Sequence, residues 1–340
     1  MTNKKKILTY LFLTLLIVLT FWSLLQMRNI ANVPRLLVNA DKGYILLAVL
    51  FMAGFVVLDA FIMKFISQHS QIPVSFGSAL RFAMIGQYYC MITPLASGAQ
   101  PAQIYSMSAK GNYSVAKASS VLYTKFVIYQ TVVGLYVLGL FIIRGHYFNG
   151  QIGNLAIFLG LGLALNLLAL AAIFLLAFNQ RILLAVVLGL LGLIKKAGWG
   201  KKLTRERVVS QVKLFSSYIA EMKKDRTMLV GAAFLTALQL TFYFSVTYFV
   251  YCSLHFTSVS YFDVLTIQGL IYMAYHFIPT PGNVGVAEGG FVLFFGVLFP
   301  QPTVLGAVLI WRFIVYYLNL LAGGLVTLYE YLWIRKTVAT

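Results

Sequence analysis

Long apolar runs recur along the whole chain, and most of them have the length of membrane-spanning helices. A helix rises about 1.5 Å per residue, so crossing a hydrocarbon core of about 30 Å takes about 20 residues. Two shorter apolar pieces, at about 78–92 and 262–278, each end in a Thr-Pro break. The pattern predicts an all-α polytopic integral membrane protein with two re-entrant broken helices and about six full spans, at 7–27, 43–66, 115–143, 153–178, 227–253 and 303–333.

The composition supports a membrane protein and argues against other classes. Hydrophobic residues make up 61% of the chain and charged residues only 10%, whereas soluble domains carry about a quarter charged residues. A β-barrel would show alternating segments of about ten residues instead of these runs. A net charge of +18 would suggest nucleic acid in a soluble protein, but here basic residues orient the spans and meet anionic lipid headgroups.

The distribution of basic residues predicts the orientation of the spans. Residues 181–226 contain eleven Lys or Arg and only three acidic residues, and 181–196 is predicted to be an interfacial helix. By the positive-inside rule this segment and both termini are cytoplasmic, in a bacterial plasma membrane. The run at 7–27 is too long for a typical signal peptide and lacks a cleavage site, so we predict an uncleaved first span.

The two Thr-Pro breaks belong to an internal repeat. TPLASG at 93–98 aligns with TPGNVG at 280–285, and the same offset of 187 residues places Lys125 on Arg312. We predict one membrane domain over 1–340 that contains an inverted repeat, whose units cover about 40–145 and 227–332. Its segments are an N-terminal span and loop (1–42), repeat 1 (43–145), a connecting span with a basic cytoplasmic segment (146–226) and repeat 2 (227–335). Paired Pro- and Gly-interrupted helices of this kind are typical of midplane sites in transporters.

The broken helices predict a polar cavity at mid-depth. Backbone groups freed by proline have no partners in lipid, so they must face protein or water. The glycines are expected to allow close backbone approach and unusual φ values. The predicted helix-break residues are Thr93, Pro94, Gly98, Pro279, Thr280, Pro281, Gly282 and Gly285.

Charged residues deep in the spans are candidates for binding a substrate in that cavity. Lys125 and Arg312 each lie about ten residues, roughly 15 Å, into a span, where a charge should face the protein interior. Asp59 is a further buried candidate. Two interpretations stay open: the cations receive a lipid phosphate, or they form internal ion pairs such as Arg312 with Glu288. The phosphate is favoured because the two cations lack two obvious acidic partners. The predicted substrate-binding residues are Lys125, Arg312, Glu288, Gln100, Asn283 and Arg81.

No catalytic or cofactor motif is evident in the sequence. There is no HExxH, no Walker A motif and no nucleophile elbow, and the four histidines are scattered. We therefore expect no catalytic residue, no metal, no cofactor and no direct nucleic-acid partner.

The breaks and their surroundings resemble a known family. TPLASGAQPAQIYSMSAKG (93–111), the motif PTPG-x-x-G-x-x-EG (279–289) and WRFIVYY (311–317) are similar to the membrane region of the lysylphosphatidylglycerol synthase and flippase family, which includes the multiple peptide resistance factor. The resemblance covers nearly the whole chain. It implies a flippase-like domain that moves an aminoacylated or other phospholipid to the outer leaflet.

Two departures from the family shape the functional hypotheses. Full-length members carry a soluble C-terminal aminoacyltransferase domain, which we expect to be absent here because the sequence stops at Thr340. Many relatives also have acidic residues around the position that Lys125 occupies in the third span. The leading hypothesis is a translocator of an anionic or aminoacylated phospholipid, not an enzyme by itself. The alternatives are the membrane part of a phosphatidylglycerol lysyltransferase completed by a separate synthase chain, and a scaffold for glycolipid synthesis beside a glycosyltransferase. A homo-oligomer stays open as well.

Overall fold

The computed structural model describes residues 38–110, 113–144, 155–196, 204–275, 286–296, 299 and 301–339. These residues form helices joined by short turns, with no β-strand among them. The helices are α1 Lys42–His69, α2 Phe76–Ile92, α3 Ala99–Lys110, α4 Val115–Arg144, α5 Leu155–Phe178, α6 Gln180–Lys196, α7 Arg205–Met222, α8 Arg226–Ser253, α9 Tyr261–Tyr275, α10 Val286–Phe295, α11 Gln301–Arg312, a π-helical turn at Phe313–Tyr317, and α12 Leu318–Ala339.

Several of these helices begin at a side chain that caps their first turn. Asp41 Oδ1 accepts a hydrogen bond from the Gly43 amide at 2.7 Å at the start of α1. Asp225 Oδ1 accepts one from the Met228 amide at 2.9 Å at the start of α8. The first amides of a helix have no partner within it, so such caps stabilise its end by about 1 kcal/mol. These caps therefore fix where α1 and α8 begin.

The predicted spans largely match the observed helices, so the protein is an all-α, multi-pass membrane protein. Within the described ranges, four helices are long and apolar enough to cross a membrane: Lys42–His69, Val115–Arg144, Arg226–Ser253 and Thr303–Leu332. The predicted span 153–178 corresponds to α5, which qualifies as a candidate span only together with α6. The axes of Gly160–Leu176 and Gln180–Gly192 differ by 95°. The predicted span 7–27 lies outside the described residues.

The centre of the fold is the pair formed by α1 and α8, which pack along each other. The rings of Phe51 and Phe242 stack with centroids 4.6 Å apart, and Phe55 lies 5.2 Å from Tyr243. Around this pair, α2 packs on α1 and α12, while α9 packs on α8 and α4. The short helix α3 packs on α2 and α4, and α10 packs on α9 and α11. The broken helices therefore lie against the central pair.

A glycine allows the close approach of α12 to α2. A Cβ added at Gly323 would lie 2.8 Å from the Met84 carbonyl oxygen and 3.0 Å from Tyr88 Cβ. Lipid chains are as apolar as a leucine side chain, so helices in a membrane associate largely through such close packing. The contact therefore depends on the absence of a side chain at this position.

We expect Gly323→Ala to destabilise the protein by about 1–3 kcal/mol, because the obstructing atom is backbone and cannot rotate away. Thermal unfolding in detergent measures the effect. Gly139→Ala is the matched control, since it makes the same change inside span α4, where an added Cβ meets nothing within 4 Å. Equal melting temperatures for the two variants would contradict this account of the α2–α12 contact.

Candidate functional site

A cavity lined by both charged and apolar residues lies where the central pair meets the first break and the helices α9 and α10. Its volume is about 240 Å³, and its lining comes from α1, α2, the turn between α2 and α3, α3, α4, α8, α9, α10, α11 and the π-helical turn. Gln100, Lys125 and Arg312, three of the predicted substrate-binding residues, line it together. The structure thus brings residues from both halves of the chain to one place.

Lys125 forms an ion pair with Asp59 inside this cavity. Its Nζ lies 2.7 Å from the Asp59 carboxylate, and the two side chains are only 13% and 9% exposed. Gln239 Nε2 donates a second hydrogen bond to Asp59 Oδ1 at 3.0 Å. The three residues come from α4, α1 and α8, so the pair ties the central helices together. The prediction that the two cations lack acidic partners is therefore wrong for Lys125.

Arg312 also lines the cavity and is only 5% exposed. Its guanidinium lies over the Tyr316 ring, with 4.8 Å to the centroid, and 5.8 Å from the Trp311 ring. The π-helical turn begins directly after Arg312 and includes Tyr316. A π turn inserts one extra residue into a helix and is frequent at functional sites. Here it places an aromatic ring beside the cation.

Hydrogen bonds within the first helix break and to the end of α2 hold its turn together. Thr93 Oγ1 donates a hydrogen bond to the Tyr89 carbonyl at 2.6 Å and accepts one from the Gly98 amide at 2.9 Å. A Cβ at Gly98 would lie 2.7 Å from Thr93 Cγ2, so a glycine is needed for this close approach. Pro94 lies within the turn, where its carbonyl accepts from the Ser97 amide at 3.1 Å.

The unusual backbone angles of this break are not at its glycine. Leu95 and Ala96 both have a φ of 53°, and Gly98 is not in this left-handed region. The prediction that glycine supplies the unusual φ is therefore wrong for this break. Left-handed φ costs a residue with a Cβ roughly 1–2 kcal/mol. Both strained residues line the cavity, and such strain is typical of functional sites.

Arg81 lies apart from the other predicted residues. Its Nη2 donates to Ser78 Oγ at 3.0 Å, and its Nε donates to the Gly77 carbonyl at 3.4 Å. Both partners are in the first turn of α2, and Arg81 is not among the residues that line the cavity. The structure does not place Arg81 with Lys125 and Arg312.

The second break falls outside the described residues. This includes the predicted residues Asn283, Pro279, Thr280, Pro281, Gly282 and Gly285. Glu288 lies in α10, and its backbone is helical, but its side chain is also outside the described part. Its neighbour Ala287 lines the cavity. The prediction that Glu288 contributes to the site stays a prediction.

Several lining residues were not among the sequence-based candidates. Gln239 binds Asp59, and the hydroxyl groups of Tyr129 and Tyr272 lie 2.5 Å apart in a hydrogen bond. Tyrosines are frequent in this chain, so their type alone carried no signal. A single glutamine in an apolar span is a stronger signal, since a polar residue inside a membrane helix usually faces a partner.

The charges of the cavity suit an anion. Among its described lining residues, Lys125 and Arg312 are positive and Asp59 is negative, which leaves one net positive charge. Hydroxyl and amide groups surround them. Such a set can bind a phosphate diester through the cations and an ammonium group through the carboxylate.

The family comparison agrees with this architecture. The chain matches the family model described as "Lysylphosphatidylglycerol synthase TM region" over residues 7–323. No curated protein matches the chain. Because the match covers far more than half of the sequence, the chain belongs to the family of the lysylphosphatidylglycerol synthase TM region.

Proposed function

We propose that this protein moves a phospholipid between the leaflets of the membrane through the Lys125–Arg312 cavity. The observation that carries the proposal is the meeting of two cations and one carboxylate in a single buried cavity. A charge at the bilayer centre costs about 2.5–3.5 kcal/mol, so charges gathered there usually mark a substrate path. The family match supports a lipid with a phosphatidylglycerol headgroup, with or without an aminoacyl group.

The roles of the residues follow from their charges. Lys125 and Arg312 would donate to the phosphate oxygens of the headgroup. When Lys125 turns to the phosphate, Asp59 would accept a hydrogen bond from the ammonium group of a headgroup that carries one. The cavity volume of about 240 Å³ suits a headgroup, so the acyl chains would remain outside, among the lipid chains.

The packing of the helices supports the inverted repeat that we propose for this mechanism. At the predicted offset, α1 corresponds to α8, α2 to α9, and α4 to α11 with α12. The two counterparts α1 and α8 pack on each other. The contact of α2 with α1 has its counterpart in the contact of α9 with α8, and that of α2 with α12 in that of α9 with α4. We propose that the basic segment around α7 faces the cytoplasm.

Leaflet movement in liposomes tests the function. Purified protein is reconstituted with labelled phosphatidylglycerol or lysylphosphatidylglycerol, and quenching of the outer leaflet by a membrane-impermeant reductant measures movement. We expect faster movement than in protein-free liposomes, because the cavity replaces the hydration of the headgroup during crossing.

The double variant Asp59→Ala/Lys125→Met tests the part of the charged residues in this movement. It removes the ion pair without changing the net charge of the cavity. We expect it to lose movement while keeping its fold. Equal movement by wild type and double variant would show that lipid crosses elsewhere. No movement of either lipid by the wild type would overturn the translocator proposal and favour a membrane subunit of a synthase.

A further inference from the structure

A second cavity lies away from the proposed lipid path. Its volume is about 740 Å³, and it is framed by the end of α3, the start of α4, and the helices α6 and α7. It shares no lining residue with the first cavity. Its volume falls within the range of about 300–1,000 Å³ that is usual for ligand pockets.

One side of this second cavity is apolar and consists of two helix faces. Leu183 and Val187 are four residues apart on α6, so they lie on the same face of that helix. Val208, Val212 and Phe215 follow each other at spacings of four and three on α7. The two faces together offer a surface for a hydrocarbon chain.

The other side is polar and carries a single charge. Arg207 is the one charged residue, and there is no acidic residue, among the thirteen described residues that line the cavity. Ser108, Ser114 and Ser119 also line the cavity and carry hydroxyl groups. Ser108 Oγ is buried without a hydrogen-bond partner among the described residues. Charge and unused hydrogen-bonding capacity therefore lie next to an apolar surface.

Backbone amides at the start of α4 already donate hydrogen bonds to side chains, so they do not themselves form an anion site. Ser114 Oγ accepts from the Lys117 amide at 3.2 Å, and Gln211 Oε1 accepts from the Ala116 amide at 3.0 Å. The hydroxyl hydrogen of Ser114 remains able to donate. The donors for a ligand are thus side chains, the Arg207 guanidinium and the serine hydroxyl groups.

Arg207 is held in place at the first turn of α7. Its amide donates to Thr204 Oγ1 at 3.3 Å, and its carbonyl accepts from Ser210 Oγ at 2.9 Å. These bonds hold the Arg207 backbone, while its side chain is exposed and lines the cavity.

We propose that this second cavity binds one anionic phospholipid, with its phosphate on Arg207 and the serine hydroxyl groups and an acyl chain between α6 and α7. Free phosphate would leave the apolar side unused, and an uncharged apolar molecule would leave Arg207 and Ser108 unused. An anionic lipid uses both sides. Because the ligand binds the folded protein, it stabilises that state by mass action.

The test is binding of phosphatidylglycerol to delipidated protein in neutral detergent, measured by native mass spectrometry and by the rise in melting temperature. Phosphatidylcholine with the same chains and inorganic phosphate are the comparison ligands. We expect phosphatidylglycerol alone to give the full rise, and we expect Arg207→Gln to weaken its binding about tenfold through loss of a charge-assisted hydrogen bond.

Arg205→Gln is the matched control. It removes the same charge two residues away on α7, from an exposed residue that does not line the cavity. Equal weakening by both variants would overturn the proposal in favour of general attraction to a basic helix. Equal binding of the two lipids would overturn headgroup recognition. A full rise with inorganic phosphate would overturn the lipid as ligand.

A substitution on the apolar side tests the acyl chain separately. Val187→Trp fills the space between α6 and α7 while leaving Arg207 in place. We expect it to weaken binding of phosphatidylglycerol, and unchanged binding would overturn the position proposed for the chain. The two cavities share no lining residue. Loss of lipid movement would therefore contradict the function proposed for the first cavity, and loss of lipid binding at Arg207 would contradict the site proposed in the second.

Discussion

Asp59→Ala is expected to destabilise the protein by about 3 kcal/mol, because it leaves the Lys125 ammonium buried without its counter-charge. The Lys125 side chain is 13% exposed and its Nζ lies 2.7 Å from the carboxylate. Removing one partner of a buried ion pair typically costs about 3–5 kcal/mol. We expect the lower end, since the pair lines a cavity and both side chains keep some exposure. Chemical or thermal unfolding in detergent, followed by gel filtration, measures the loss.

The double variant Asp59→Ala/Lys125→Met is expected to regain most of that stability. With both charges removed, no ion is left buried, and a methionine fills the volume of the lysine stem. Asp41→Ala is the control for losing a carboxylate on the same helix. Asp41 caps the start of α1, so its loss should cost only about 1 kcal/mol. A double variant as unstable as Asp59→Ala would show that the pair is not the source of the effect.

Arg312→Ala is expected to slow lipid movement about 10- to 100-fold while the protein stays folded. A hydrogen bond to a charged group contributes about 1.5–3 kcal/mol, which sets this range if Arg312 contacts the phosphate in the transition state. The guanidinium is only 5% exposed and lies over Tyr316, so the substitution also removes some packing. The liposome assay gives the rate, and the melting temperature of the same preparation reports the fold.

Arg81→Ala is the matched control for this prediction. It removes the same side chain from a residue whose guanidinium binds Ser78 in its own helix and does not line the cavity. We expect Arg81→Ala to move lipid at the wild-type rate. Loss of the folded protein in Arg312→Ala would indicate a structural role for this arginine. Equal slowing by both variants would argue that basic charge in general, and not the cavity, determines the rate.

The helices and their bounds could be predicted because each depends on local pattern. The observed bounds Lys42–His69, Val115–Arg144 and Arg226–Ser253 extend the predicted spans by at most a few residues at either end. Apolar length, capping residues and proline breaks lie within one stretch of sequence. The 95° bend between α5 and α6 is the arrangement expected of a span followed by the interfacial helix predicted at 181–196.

The candidate site was predictable only in part. The offset of 187 residues singled out Lys125 and Arg312, and the structure places both on one cavity. The pairing of Lys125 with Asp59 was not predicted, since the two residues are separated by a helix, a break and a second helix. Arg81 was predicted as a charge within an apolar stretch, but its partner is three residues away in the chain and it does not line this cavity. Charge in an apolar run identifies a buried residue but not its neighbour.

The sequence by itself determined that this is an all-helical membrane protein, where its first broken helix is interrupted, and to which family it belongs. These properties follow from hydrophobic length and from proline and glycine positions, which act locally on the backbone. Only the tertiary structure decided that Lys125 is paired, that Leu95 and Ala96 carry the backbone strain, and that a second cavity exists beside Arg207. Each of these depends on contacts between residues far apart in the chain, which packing of the helices creates.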